Sequence, residues 1–248
     1  MTFKERLASG ELIVGTWIKT PEPSVVEVLA LTDLDCLVLD AEHAPFDRRD
    51  IDLGVQAARP LAKPILVRIP AARPEYALQA LDCGATGLIV PHIRSAAEAQ
   101  AAVRMSHYGK GGRGYAGSSR AASYTRTPMA EHLANSAANT VVILQIEDPE
   151  AVETIDDIAA VEGVDALFVG RIDLAVAMGK SPDDPEVIES VATICASARR
   201  NGRIVGMFLN RVEDVPYWRE RGASLFLLGS DQAFLLSGAS QLCKAARS

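Results

Sequence analysis

Eight runs of apolar, largely β-branched residues punctuate the chain, at 12–19, 36–43, 64–70, 87–93, 140–147, 166–173, 204–210 and 225–231. Their apolar residues are continuous rather than alternating, as in strands covered on both faces. Helix-like segments follow them at 21–31, 47–59, 73–82, 95–106, 149–160, 184–200, 212–221 and 232–246. Several open on Ser, Asp or Pro, the residue types that helix starts favour. Eight strand–helix pairs in about 250 residues predict one α/β domain over residues 1–248, a (β/α)8 TIM barrel. The rival, an open doubly wound sheet, carries a glycine-rich fingerprint after its first strand. Thr16-Trp17-Ile18-Lys19-Thr20-Pro21 has none, and neither a domain-scale linker nor a repeat beyond the βα alternation is present.

The segment 107–139 breaks the rhythm with Gly109-Lys110-Gly111-Gly112-Arg113-Gly114 and its neighbours. A GxGxxG spacing occurs there, but it follows a helix instead of a strand, so it is a poor dinucleotide fingerprint. Two readings stay open: a long surface loop, or an arm that reaches a neighbouring subunit.

A chain of 248 residues, 48% hydrophobic, can bury a large core. The net charge of -7, with no polybasic run, argues against a nucleic-acid partner. Cys36, Cys83, Cys195 and Cys243 are scattered without CxxC spacing, which fits reduced thiols in a cytoplasm better than a zinc site or a disulfide frame. The first residues do not form a signal peptide, and no segment is apolar for long enough to span a bilayer.

Barrel active sites sit where strands end. Those ends gather Trp17, Lys19, Asp40, Glu42, His43, Arg68, His92, Gln145, Glu147, Asp173 and Asn210. Glu147 and Asp173 each close an apolar run, where an unpaired acid is costly. Two such carboxylates converging on one end of a barrel suggest a divalent cation held by hard oxygen ligands. Asp40 and His43 lie three residues apart across a strand end, a spacing that lets a carboxylate orient an imidazole base. Arg68, inside Ile65-Leu66-Val67-Arg68-Ile69, needs an anionic partner in the protein or in a substrate. Backbone amides at Arg171, Ile172 and Asp173 can hold a carboxylate where a helix begins. His92 has no evident partner in the sequence and reads as structural, while His107 and His132 read as surface residues. Together these parts suit one chemistry. A metal and an arginine polarise a 2-oxo acid, and a histidine-assisted base moves a proton as an enolate forms.

The chain resembles the class II, metal-dependent pyruvate aldolases of the HpcH/HpaI family over nearly its whole length. The marks are Gly15-Thr16-Trp17, Asp40-Ala41-Glu42-His43-Ala44-Pro45, Val67-Arg68, Leu81-Asp82-Cys83-Gly84-Ala85, Gly112-Arg113-Gly114, Gln145-Ile146-Glu147, Val161-Glu162-Gly163-Val164-Asp165 and Gly170-Arg171-Ile172-Asp173-Leu174. The set is specific, although each piece alone is weak. The resemblance implies metal ligands at Glu147 and Asp173, with magnesium, manganese or cobalt as the cation. It implies a catalytic dyad of His43 and Asp40, and Arg68 as the group that holds the ketone oxygen and steadies the enolate. Gln145 would lie near the metal and the oxo acid, and Trp17 would line the aldehyde side. Asp82 would serve the neighbouring subunit's site, in a hexamer whose C-terminal helices are exchanged. Two departures bear on the substrate more than on the reaction type. Gly170-Arg171-Ile172-Asp173 stands where the family usually has Gly-Pro-Ala-Asp, and His92 stands where methionine is frequent.

The expected activity is therefore cleavage of a 4-hydroxy-2-oxo acid to pyruvate, or a related 2-oxo acid, and an aldehyde. A metal-dependent oxo-acid decarboxylase shares the same enolate and is the nearest alternative. A Schiff-base aldolase would need Lys19, since Lys63 precedes its strand on the wrong face. An oxo-acid sensor without turnover sits poorly with the intact set of Asp40, His43, Arg68, Glu147 and Asp173.

Overall fold

The computed structural model describes residues 1–247. Its strands are β1 (Ile13–Ile18), β2 (Cys36–Asp40), β3 (Ile65–Arg68), β4 (Gly87–Val90), β5 (Val141–Ile146), β6 (Ala166–Val169), β7 (Ile204–Leu209) and β8 (Ala223–Ser230). They close in sequence order into a barrel in which neighbours run parallel. The (β/α)8 expectation holds. The helices are α1 (Phe3–Ala8), α2 (Pro23–Ala30), α3 (Arg48–Ala58), α4 (Pro74–Asp82), α5 (Ala96–Ser106), α6 (Met129–Asn139), α7 (Pro149–Glu153), α8 (Ile155–Ala159), α9 (Arg171–Ala177), α10 (Pro185–Arg200), α11 (Val215–Glu220) and α12 (Asp231–Arg247). None of them is long and apolar enough to cross a membrane.

The strands read as continuous apolar runs because they have two buried faces. Ile13, Trp17, Val38, Leu66, Ile89, Ile143, Phe168 and Leu227 pack in one cluster inside the barrel. Leu37, Leu39, Val67, Leu88 and Leu144 belong to the other, between barrel and helices. The short helix α1 closes the end where strands begin: Phe3 and Leu7 join the interior cluster. Lys4 Nζ ties it down on the Thr140 carbonyl at 2.8 Å and on Asp165 at 3.1 Å. Helix starts follow the sequence signals. Asp47 and Asp50 cap α3 reciprocally, and Ser95 accepts from the Glu98 amide at the start of α5.

Four features depart from the sequence reading. First, β6 stops at Val169, and Asp173 lies in the first turn of α9 instead of closing the strand. The chain turns at Gly170, whose carbonyl accepts from the Leu174 amide at 2.9 Å and so starts a helix. Second, the segment 107–139 contains α6, whose residues are mostly small or polar, with Met129 and Leu133 its large apolar side chains. His132 on that helix is buried, not on the surface, with its ring 3.0 Å from the Tyr108 hydroxyl. Third, the segment 149–160 is two short helices that meet at Thr154.

Fourth, α12 begins at Asp231, one residue earlier than expected. The Asp231 carboxylate is buried and accepts the Lys19 and Thr20 amides at 2.8 and 3.0 Å, which pins the helix start to the end of β1. The rest of α12 is exposed, including Leu235, Leu236 and Leu242. The last helix therefore projects from its own barrel, with residues 232–247 all exposed.

Candidate active site

The parallel register brings the end of β2 beside the end of β3, with Asp40 opposite Arg68. Asp40 is fully buried, and its two oxygens serve two cations. Oδ1 takes Arg68 Nε at 2.9 Å and Nη2 at 2.8 Å, while Oδ2 takes Lys19 Nζ at 2.7 Å. Burial alone would raise the Asp40 carboxyl, but the charge of Arg68 and the Lys19 hydrogen bond outweigh it and hold the acid below its ordinary range. The Arg68 guanidinium lies 4.3 Å above the Trp17 ring. Trp17 packs edge-on against Phe168 in turn, so a buried aromatic floor fixes the height of the arginine. Trp17 thus enters the site from beneath Arg68.

The geometry revises the expected dyad. Asp40 reaches His43 through the backbone amide, at 3.2 Å, because its side-chain oxygens are taken by Arg68 and Lys19. The exposed His43 ring instead lies 3.7 Å from Glu42 Oε2. Sequence reasoning placed Glu42 at the rim without giving it a role. Its side chain is nearly buried, and Oε2 lies 3.3 Å from Arg68 Nε. That N–H is aimed at Asp40, so Oε2 makes no hydrogen bond. Burial pushes the Glu42 carboxyl up to about 7; the charge of Arg68 opposes the shift and Glu147 adds to it.

His92, read from the sequence as structural, belongs to the site. It follows Pro91 with φ of 54°, in the left-handed region that histidine tolerates better than most residues. Its amide donates to Glu147 Oε1 at 2.9 Å, and its ring Nδ1 lies 3.1 Å from Asp148 and 3.4 Å from Glu147. Its Nε2 is 3.7 Å from Glu42 Oε1. Burial works to lower its pKa, but Asp148, Glu147 and Glu42 raise it above the ordinary histidine value. The signal missed in the sequence was Asp148, a partner that lies next to Glu147 and far from His92 along the chain.

Glu147 is buried one residue beyond β5. Gln145 donates its side-chain amide to Glu147 Oε2. Gly170 shows why a small residue stands opposite. A Cβ there would meet the Glu147 side chain at 2.8 Å, Glu147 Oε2 at 3.0 Å and Asp173 Oδ2 at 3.5 Å. The hydrogen-only position therefore leaves Glu147 and Asp173 facing one small space. On the other side of Glu147, one ligand atom each from Glu42, His92 and Glu147 lie within 4.8 Å of one another. Oxygen donors with one imidazole, and an unpartnered Glu42 oxygen among them, fit a divalent cation. Ile172 is exposed in the first turn of α9, and Arg171 turns toward Asp183, 3.5 Å away, and the face of Trp218.

Two sequence candidates stand apart from this group. Asn210 is exposed past the end of β7. Asp82 ends α4, and its charged neighbours are Arg113, Arg48 and His132. Its carboxyl is buried, with Oδ1 unpartnered, and burial raises its pKa despite those cations. The glycine-rich segment folds against it: the Ala121 amide donates to the Asp82 carbonyl at 3.2 Å, Arg113 stacks on Tyr108 at 4.0 Å, and Arg120 grips Asp52 at 2.9 and 2.7 Å.

The profile of the HpcH/HpaI aldolase/citrate lyase family matches residues 14–237. The chain is 34% identical over 242 residues, 97% of its length and 94% of the relative's, to a hydroxypyruvate/pyruvate aldolase from Roseovarius nubinhibens. It is 35% identical over 243 residues, covering 97% and 94%, to a 5-keto-4-deoxy-D-glucarate aldolase from Salmonella arizonae. A solved HpcH/HpaI aldolase/citrate lyase family protein from Burkholderia cenocepacia superposes with a TM-score of 0.94 at 34% identity, covering 99% of this chain and 98% of that one. The chain is a lyase, and it belongs to the HpcH/HpaI aldolase/citrate lyase family.

Proposed function

We propose that this protein is a metal-dependent aldolase that cleaves a 4-hydroxy-2-oxo acid to pyruvate, or a related 2-oxo acid, and an aldehyde. The observation that carries the reading is the position of Arg68. It is fixed by Asp40 from one side and Trp17 from below, and it stands beside Glu42, whose charged neighbours include Glu147; Glu147 in turn faces Asp173 beside Gly170. The two aldolases named above support the reaction class. Glu147 and Asp173 would hold the cation, which supplies Lewis-acid polarisation of the oxo group when bound.

The chain's own residues account for the rest. Cleavage removes the proton of the C4 hydroxyl, breaks the C3–C4 bond and leaves its electron pair as an enolate with charge on the C2 oxygen. Two guanidinium nitrogens of Arg68 are committed to Asp40, which leaves Nη1 to meet that oxygen. Because Asp40 and Trp17 hold the guanidinium before substrate arrives, little reorganisation accompanies charge development. His43 stands exposed at the rim and takes the hydroxyl proton as base; Glu42, close to its ring, steadies the imidazolium. Gln145 holds Glu147 in place from behind. Protonation of the enolate at C3 then gives the methyl group of pyruvate.

Asp82 lies among Arg113, Arg48 and His132, away from this group, so within this proposal it acts in the site of a neighbouring subunit. The uncovered α12 docks on that neighbour, in a hexamer. The test is pyruvate release from a 4-hydroxy-2-oxo acid by protein loaded with magnesium, manganese or cobalt, beside oxaloacetate. Release from the hydroxy-oxo acid supports the reading; consumption of oxaloacetate alone replaces it with decarboxylation.

A further inference from the structure

We propose that His92 supplies an imidazole nitrogen to the cation site, so that the site is a mixed nitrogen–oxygen one which favours cobalt or zinc over magnesium. The inference rests on the reading that Glu147 and Asp173 hold a cation.

Three observations carry it. First, the ring is held on one nitrogen and offered on the other. Nδ1 lies 3.1 Å from Asp148 Oδ2. An ionised carboxylate only accepts, so Nδ1 carries the hydrogen in that contact. The remaining nitrogen, Nε2, is 3.7 Å from Glu42 Oε1, beyond hydrogen-bond length. A carboxylate that fixes one imidazole nitrogen while the other faces a cation is the usual outer support of a metal-binding histidine.

Second, the backbone is built to aim that ring. His92 holds φ of 54° and donates its amide to Glu147 Oε1 at 2.9 Å, so the ring stays over the carboxylate. Glu147 then has two working sides. Its Oε1 faces His92, and its Oε2 lies with Asp173 Oδ2 around the space beside Gly170. A cation seated against Glu147 meets Asp173 from one side and the His92 ring from the other.

Third, the spacing is that of ligands and not of hydrogen bonds. The offered nitrogen, Nε2, stands 3.7 Å from Glu42 Oε1, and one ligand atom each from Glu42, His92 and Glu147 lie within 4.8 Å of one another. Bonds of about 2.1 Å in a tetrahedral shell put neighbouring ligand atoms about 3.4 Å apart. Glu42 adds a nearly buried oxygen, Oε2, that no hydrogen bond satisfies.

Imidazole favours zinc and cobalt, which stand above manganese in affinity for nitrogen donors, whereas magnesium demands oxygen and keeps its water. The ligand class therefore changes the ranking of metals and leaves the reaction as proposed.

The test is pulsed electron paramagnetic resonance on untagged protein loaded with manganese(II), which detects the nitrogen of a directly bound imidazole. The wild type should show that nitrogen, His92→Asn should lose it, and His43→Asn should keep it. Asparagine tolerates the left-handed backbone at this position, so the fold survives the change. Calorimetric titration gives a second readout. His92→Asn should weaken cobalt binding by at least about tenfold, the lower end of what even an outer support is worth, and leave magnesium binding little changed. Manganese that binds through Glu147 with no nitrogen signal, or with a signal that persists in His92→Asn, overturns the role of His92 and leaves the carboxylate site standing. Failure of the wild type to bind manganese at all overturns both.

Discussion

Arg68 sets Nε and Nη2 on a single oxygen of Asp40, at 2.9 and 2.8 Å, and Lys19 takes the other oxygen at 2.7 Å. One fully buried carboxylate thus pairs with two cations at the bottom of the site. Removing it leaves charge without a partner where water scarcely reaches, and breaking a buried pair from one side costs about 3–5 kcal/mol. Asp40→Ala should lower the denaturant midpoint by a corresponding amount and impair activity with it. An unchanged midpoint would show that Arg68 finds another partner.

Arg68→Lys keeps the charge and loses the planar fork. Lysine cannot place two nitrogens on Asp40 and present a third to the substrate, so the change is not conservative here. Turnover should fall by about 10²-fold or more, the scale seen when one oxyanion donor is removed. Steady-state assay of Arg68→Lys beside Arg68→Ala checks it, and near wild-type turnover in Arg68→Lys would remove the need for the fork.

His43→Ala should lower turnover by about 10²–10⁴-fold, the usual contribution of a placed proton-transfer group. Cation affinity, read by titration calorimetry, should stay close to the wild type, because the exposed ring stands 3.7 Å from Glu42 and hydrogen-bonds none of the carboxylates that would hold the cation. Glu42→Gln should reduce turnover by less. Equal rates for His43→Ala and wild type would move the base elsewhere.

Glu42 makes stability depend on pH in an unusual direction. Its carboxyl sits at about 7 in the folded protein against an ordinary 4.5. Between those values the folded state binds the proton and the unfolded state has released it, so stability is greatest below the lower value and falls as pH rises toward the upper one. Metal-free protein should lose up to about 3 kcal/mol across that window, and Glu42→Gln should flatten the profile. Denaturant unfolding at stepped pH, or a carbon-resolved titration of Glu42, makes the measurement. A wild-type profile that rises with pH over the same range would contradict the assignment.

The exposed apolar residues of α12, with Leu235 66%, Leu236 71% and Leu242 74% accessible, argue for a partner surface. Light scattering should give a hexamer, and deleting α12 beyond Asp231 should break it. Asp82→Asn and Arg68→Ala, each inactive alone, should regain part of the activity when mixed and reassembled, because some sites would then combine an intact Asp82 with an intact Arg68. Absence of any recovery from mixed oligomers would place Asp82 outside the site.

The barrel was legible because eight doubly buried strands leave eight apolar runs, and because capping residues such as Asp47 and Ser95 mark where helices begin. The rim residues Arg68 and Glu147 were legible because a charge closing an apolar run needs a reason. The partners of those charges were not. Asp40 was matched to His43 by nearness along the chain, whereas parallel pairing of β2 with β3 gives it to Arg68. His92 looked isolated because Asp148 and Glu147 reach it only once β4 and β5 lie side by side. Asp173 was given to a strand because Ile172 extends the apolar run past Gly170, where the chain already turns into α9. Local pattern carried the elements; register between strands decided the pairs.

In the proposed mechanism a divalent cation and Arg68 together let this site draw a proton from a 2-oxo acid and hold the resulting enolate. Exchange of the pyruvate methyl protons with deuterated solvent, followed by nuclear magnetic resonance, reads that step without any aldehyde. The wild type loaded with magnesium, manganese or cobalt should exchange them; chelation with EDTA should stop the exchange, added metal should restore it, and Arg68→Ala should not exchange even when loaded. Exchange that continues at full rate after exhaustive chelation, or in Arg68→Ala, would contradict the account.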